Sequence, residues 1–188
     1  MILDVAEASM ASKGPAGVRL QEVARSAGVS HSNVLHHFGS RAGLIQALNR
    51  RTVSDLKIVL FGVLDAARSS AEDIIAPAFA AYRNGLAQRT LWLLQAPGRC
   101  GAPSLPVFEE IVEALHARRA DAAPPGVRLD KAHTRAMVHL TTIAAFGDAL
   151  IGARLRQCST ADEPAVRRRF EGWYAALLES YADQIGRL

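Results

Sequence analysis

The chain has 188 residues, enough for one or two domains with a real core. Hydrophobic residues make up 49% and charged residues 21%, a balance that excludes a disordered chain. A net charge of +4 admits a nucleic-acid partner without establishing one, and two cysteines, Cys100 and Cys158, exclude a disulfide framework.

Strand signals are almost absent and apolar residues recur at helical spacing nearly throughout, so the fold class is all-α, with about nine helices. The first helix is predicted over 2–13, with Ile2, Leu3, Ala6 and Met10 on one face and Gly14, Pro15 and Gly17 ending it. A short helix follows over 20–27, stopped by Gly28, and Ser30 is placed to cap another over 31–37. Gly39 breaks that helix, and Ser40 is placed to cap a long one from Arg41 to about Arg68. A helix over 71–88 contains Pro77, which predicts a kink there, and one more helical turn is expected over 91–95. The stretch 97–106 reads as a loop, 105–119 as a helix, and 122–129 as a second loop. Two long helices, 130–157 and 163–186, close the chain, with a TxxE capping box at Thr160–Glu163 between them. No stretch of eighteen uninterrupted apolar residues and no signal peptide is visible, so no membrane partner and a cytoplasmic location are expected.

The charge is unevenly spread. Residues 1–51 hold six Lys/Arg against three Asp/Glu, a net +3 of the total +4. Inside that region 20–38 reads LQEVARSAGVSHSNVLHHF, the pattern of a helix-turn-helix. Val23, Ala27, Val29 and Val34 are apolar where two crossing helices bury each other, Ala24 is small at the close approach, and Gly28 sits at the sharp turn. The second helix then exposes His31, Ser32, Asn33 and His36, short polar side chains suited to base edges in a major groove.

From ILDVAEASMASKG through VRLQEVARSAGVSHSNVLHHFGSRAGLIQAL the sequence resembles the tetracycline-repressor (TetR) family of bacterial regulators. Ile2, Leu3, Ala6, Gly14, Val23, Ala24, Ala27, Gly28, Val29, Ser30, His37, Phe38, Ser40 and Leu44 carry the resemblance; beyond about residue 50 only helical layout and length match. It implies a DNA-binding domain over 1–45 and a helical effector-binding and dimerisation domain over 46–188. It further implies that His31, Ser32, Asn33 and His36, with Ser30 at the helix start, meet bases and nearby phosphates, and that His37 and Arg41 grip the backbone. Arg41 stands at the family's usual Lys. Leu35 replaces an aromatic residue, Val18 and Arg19 replace a Thr or Ser, and Ser9–Met10 replace a Leu-Phe pair. Arg19 is thereby placed to reach a phosphate. The family's basic N-terminal extension is not in this sequence, which is expected either to be trimmed or to lack that arm.

The last helix carries Val166, Phe170, Trp173, Leu177 and Tyr181 at helical spacing, and Phe146 and Leu150 lie on the helix before it. These seven are the candidate dimer interface, which the resemblance implies and a palindromic operator requires. The middle of the chain offers an apolar pocket lining: Phe61, Leu64, Phe79, Tyr82, Leu86, Trp92, Phe108, Ile111, Met137 and Thr141. Polar candidates around it are Asn84, His116, His139, Thr142 and Asp148. Few charges fall on these faces, so the expected effector is hydrophobic or amphipathic. The functional expectation is a dimeric regulator of double-stranded DNA, a repressor released by a small molecule. Two alternatives stand beside it: a regulator blind to effectors, and a small-molecule-binding protein or enzyme with a vestigial helix-turn-helix. No catalytic constellation, phosphate loop, cofactor motif or metal-ligand spacing is found, and His31, His36 and His37 lack a nearby carboxylate or thiol.

Overall fold

Glycines and capping hydroxyls mark most of the boundaries between the first four helices. The computed structural model describes residues 1–66, 70–95 and 106–185. Every regular element among them is helical: α1 (Ile2–Lys13), α2 (Leu20–Ser26), α3 (His31–Phe38), α4 (Arg41–Ala66), α5 (Glu72–Ala81), α6 (Ala87–Gln95), α7 (Pro106–Ala122), α8 (Lys131–Gly147), α9 (Ala153–Arg156) and α10 (Glu163–Ile185). The Ser30 hydroxyl accepts from the Asn33 amide at 3.1 Å, and Ser40 Oγ accepts from the Gly43 amide at 3.1 Å. Each supplies an acceptor to one of the amides that a helix start leaves unpaired.

The chain forms two compact units, Met1–Asp55 with the segment from Gln88, and Leu56–Ala87 with the segment from Leu105 onward. The division falls inside α4. In the first unit Ala6, Met10, Val18, Val23, Leu44 and Leu48 form the core, and Trp92 of α6 joins them. The sequence pattern assigns Trp92 to a pocket of the C-terminal half; the structure places it in the core of the first unit instead. The reason is visible in the neighbouring Arg89, whose guanidinium bonds Glu7 at 2.6 Å and Asp55 at 3.1 Å and ties α6 to this unit.

The second unit is a helical core around Phe79, Tyr82, Leu86, Ile111, Val112 and Tyr174. Phe79 is fully buried, edge-on to Phe170 at 6.0 Å and tilted against Tyr174 at 5.7 Å, which locks α5 against α10. A fully buried Phe contributes roughly 1.5–3 kcal/mol, so this one aromatic step is a large part of that packing.

Pro77 lies inside the helix, as expected, and the chain leaves helical dihedrals further on. α5 continues through Pro77, and the chain departs from helix at Asn84 (ψ 28°) and Gly85 (φ 98°) inside a widened turn, Tyr82–Leu86. A positive φ is cheap only for glycine, so the bend settles at Gly85. The helix expected over 91–95 therefore begins at Ala87. A second widened turn, Asp148–Gly152, joins α8 to α9 without leaving helical dihedrals. The TxxE box is also displaced by one residue: Ser159 Oγ accepts from the Asp162 amide at 3.2 Å and donates to Asp162 Oδ2 at 2.7 Å. The loop expected over 97–106 lies almost wholly outside the described residues.

Candidate nucleic-acid interface and effector cavity

In the first unit α2 and α3 cross through Val23, Ala24, Ala27 and Val34, all buried. The turn between them is sharp because Gly28 takes φ 68°, which lets the Val29 amide donate back to Ala24 O at 3.0 Å. Burying one face of α3 forces the other outward. His31, Ser32, Asn33, His36 and His37 are all exposed on it. Ser30 Oγ also lies 2.9 Å from Ser32 Oγ, so its hydroxyl is spent on the helix start while Asn33 keeps its side-chain amide free for a partner. The His36 and His37 rings meet edge to face at 5.7 Å. Leu35 is partly exposed and apolar, so it offers no hydrogen bond where the family usually places an aromatic residue.

A second set of cations flanks this helix. Arg19, Arg25 and Arg41 line one shallow recess with Leu20, Gln21 and Glu22. Arg41 Nε donates to Val18 O at 2.8 Å, fixing the guanidinium there. Glu22, held by Lys13 at 3.2 Å and Arg19 at 3.5 Å, is the acid of this recess among its three arginines. Lys13 hydrogen-bonding holds its carboxyl below the usual carboxylate range. Sequence reasoning misses Arg25. The spacing Arg19, Glu22, Arg25 at every third residue places Glu22 and Arg25 on one face of α2, with Arg19 at its N-cap, a signal present in the sequence.

The second unit contains an apolar cavity of about 350 Å³. Of the expected lining, Leu64, Tyr82, Phe108, Ile111, Met137 and Thr141 are there, joined by further residues, among them Leu60, Val63, Ile74, Ala78, Leu115, Arg118 and Arg119. Phe61 packs against the core and under Lys57 at 5.7 Å, and Phe79 and Leu86 are spent in the core itself. Of the polar candidates Thr142 lines the cavity; Asn84 and His139 are not in its wall. Asp148 is buried in ion pairs with Arg156 and with Arg83 at 3.1 Å, and Arg83 also reaches Glu171 at 2.7 Å. That network joins the two widened turns to α10 and leaves Asp148 no role in the cavity.

Tyr82 is 2% exposed and its hydroxyl has no hydrogen-bond partner of normal geometry among the described residues, although Thr142 lies near it. Burial pushes the phenol up to about 12, so it stays a neutral donor. Among the described residues no group of three or more His, Cys, Asp or Glu is placed to hold a metal.

Two apolar stripes of the second unit are uncovered. Leu140, Ile143, Ile151 and Leu155 run along α8 and α9; Val166, Trp173, Leu177 and Tyr181 run along α10. Ile143 is 69% exposed and Trp173 60%. Of the seven expected interface residues the four on this stripe of α10 are uncovered, whereas Phe146, Leu150 and Phe170 pack against the unit's own core. The other four, on the run from α8 to α9, recur at helical spacing and are legible in the same way. The run Lys131–Arg156 is long and apolar enough by composition to cross a bilayer, with mean hydropathy 1.4 in its best window. Its inner face packs Val138 and Ala145 and carries the ion-paired Asp148, so one packed face and one uncovered face account for that composition.

Residues 2–48 match the family model of the bacterial regulatory proteins of the tetR family. A protein of unknown function from Rhodococcus sp. RHA1 shares the fold, with a TM-score of 0.64 at 20% identity over 99% of this chain and 92% of that one. A candidate TetR-family transcriptional regulator from Rhodococcus sp. aligns with a TM-score of 0.55 at 18% identity over 98% of this chain and 95% of that one. Among curated proteins none matches the chain.

Proposed function

The chain carries the N-terminal DNA-binding domain of the TetR regulators, and from that premise we propose that it is a homodimeric, cytoplasmic repressor released from a palindromic operator by a small apolar or amphipathic effector. The observation that carries this reading is the outward face of α3, where His31, Ser32, Asn33, His36 and His37 stand exposed on a helix clamped from behind. Short polar groups near a helix start read base edges when that helix lies in a major groove. The arginine recess at Arg19, Arg25 and Arg41 supplies sequence-independent attraction to phosphates.

Two copies bind because a two-fold operator needs two reading heads about one DNA turn, ~34–36 Å, apart. The stripes on α8, α9 and α10 are the surface for that pairing. The cavity is the effector site: at about 350 Å³ with a mostly apolar wall it falls in the range of small-molecule sites, roughly 300–1,000 Å³. One helix, α4, carries both Leu44 and Leu48 of the head's core and Leu60, Val63 and Leu64 of the cavity wall. An effector that favours one tilt of α4 changes the spacing of the heads and weakens DNA binding by its differential affinity for the two states.

The test is a mobility shift with DNA flanking the protein's own gene, at fixed salt, with a random duplex as control. The wild type should bind selectively. The double variant His31→Ala/Asn33→Ala should lose that selectivity while keeping its helical circular dichroism, since each well-made base contact contributes about 1–3 kcal/mol of discrimination. Selectivity unchanged in the double variant would move base reading away from α3.

A further inference from the structure

The cavity wall is apolar except at a few places, and its charges are not balanced among themselves. Arg119 of α7 lines the cavity, half-buried, and its guanidinium donates to Thr134 Oγ1 at 2.7 Å. No carboxylate among the described residues pairs with it. Thr134 is fully buried, and its hydroxyl also lies 3.1 Å from His116 Nδ1. The hydroxyl accepts from Arg119 and has a proton to give the imidazole, so it supplies a dipole and no countercharge.

The neighbouring cation is engaged differently. Arg118 donates to the carbonyl of Leu64. The acid in the wall, Glu179, is committed to the start of α5, where its Oε1 accepts from the Ala71 amide at 2.9 Å. Arg119 is therefore a cation at the edge of an apolar space with a neutral partner only. A half-buried guanidinium in that position costs solvation, and burial does depress its tendency to hold its proton. A carboxylate restores the missing charge and matches the planar fork of donors.

Resting on the reading of this cavity as the effector site, we infer that the effector is an anionic amphiphile, a single carboxylate on an apolar body. The carboxylate pairs with Arg119, and the body lies against Ile74, Phe108, Met137 and Leu115. The Tyr82 hydroxyl, without a partner of normal geometry among the described residues, gives the bound molecule a second donor in the wall.

Calorimetric titration of the full chain with decanoate, decanol and decylamine tests this, alongside the variants Arg119→Met and Arg119→Lys. The wild type should bind decanoate about tenfold or more tighter than decanol, and decylamine weakest, as expected for a hydrogen-bonded charge pair. Arg119→Met should bring the decanoate-to-decanol ratio near one, and Arg119→Lys should keep part of it. Equal wild-type affinity for decanoate and decanol, a ratio unmoved by Arg119→Met, or no decanoate binding overturns the anionic class. The cavity-filling substitution Thr141→Trp separates the two levels. Decanol binding that Thr141→Trp abolishes, with no preference for decanoate, overturns the anionic head and leaves the effector site standing. Binding of all three that survives Thr141→Trp overturns the effector site itself. If Arg119→Met does not fold, the wild-type comparison of the three amphiphiles still decides.

Discussion

At the scale of single residues, the first unit, read as proposed, separates groups that would meet bases from groups that hold the helix. His31, Asn33 and His36 are exposed and free to meet bases, whereas Ser30 spends its hydroxyl on the Asn33 amide. Arg19 and Arg25 belong to neither set. They line a cationic recess with Arg41, and among the described residues Arg25 makes no ion pair. Their expected role is to touch phosphate, which carries charge and no sequence information. The double variant Arg19→Ala/Arg25→Ala should weaken binding to operator and random duplex by the same factor. The slope of log K against log salt should fall in magnitude by about one for each phosphate that the variant no longer neutralises. Titrations at several salt concentrations read both effects. A weakening confined to the operator would mean that these arginines read sequence. Both positions are visible in the chain, but the family resemblance points to Arg19 alone. Arg25 becomes legible only once Glu22 and Arg25 are known to lie on one face of α2, with Arg19 at its N-cap.

At the scale of elements, the helices of the head are legible almost residue by residue, because glycine stops and hydroxyl caps are local signals. Gly28, Ser30, Gly39 and Ser40 each act within four residues of themselves. The later elements are less legible where two local signals compete. Pro77 and Gly85 both offer a break, and α5 absorbs the proline while the chain bends at the glycine. Tertiary packing decides between them: Ile75 and Phe79 on either side of Pro77 are buried in one core, so bending there would open it. Trp92 escapes sequence reasoning for a related reason, since its surroundings depend on the long-range bonds of Arg89 to Glu7 and Asp55 and on no pattern within α6. The bend itself is testable. Gly85→Ala meets no steric obstacle, yet it forces φ 98° on a residue with a Cβ. It should destabilise the chain by about 1–2 kcal/mol or more, read from urea unfolding at equilibrium. Pro77→Ala, by contrast, should be tolerated or stabilising, because it restores an amide to an intact helix. The reverse order would place the strained point at the proline.

At the scale of the whole molecule, the second unit leaves more apolar surface uncovered than a monomer needs. Leu140, Ile143, Ile151 and Leu155 on one run and Val166, Trp173, Leu177 and Tyr181 on the other are large hydrophobic side chains exposed together. Scattered exposed apolar residues are ordinary, but two periodic stripes on consecutive helices are the surface that the proposed dimer would cover. A stable pairing buries about 1,200–2,000 Å² in total, an area that four helices, two from each copy, readily supply. Exposure also predicts how the interface can be broken without unfolding the subunit. Ile143 and Trp173 are largely exposed within their own chain, so Ile143→Asp/Trp173→Asp should leave the monomer's fold intact. In the dimer the same two carboxylates would be driven into an apolar seam and repel their symmetry mates. Sedimentation at micromolar concentration should show a dimer for the wild type and a monomer for the double variant. The variant should also lose tight operator binding while keeping the weak salt-sensitive attraction of one head to any duplex. A variant that sediments as a dimer would place the pairing surface elsewhere. A monomeric variant that binds the operator as tightly as the wild type would detach dimerisation from recognition, and with it overturn the proposed spacing mechanism for an effector in the cavity.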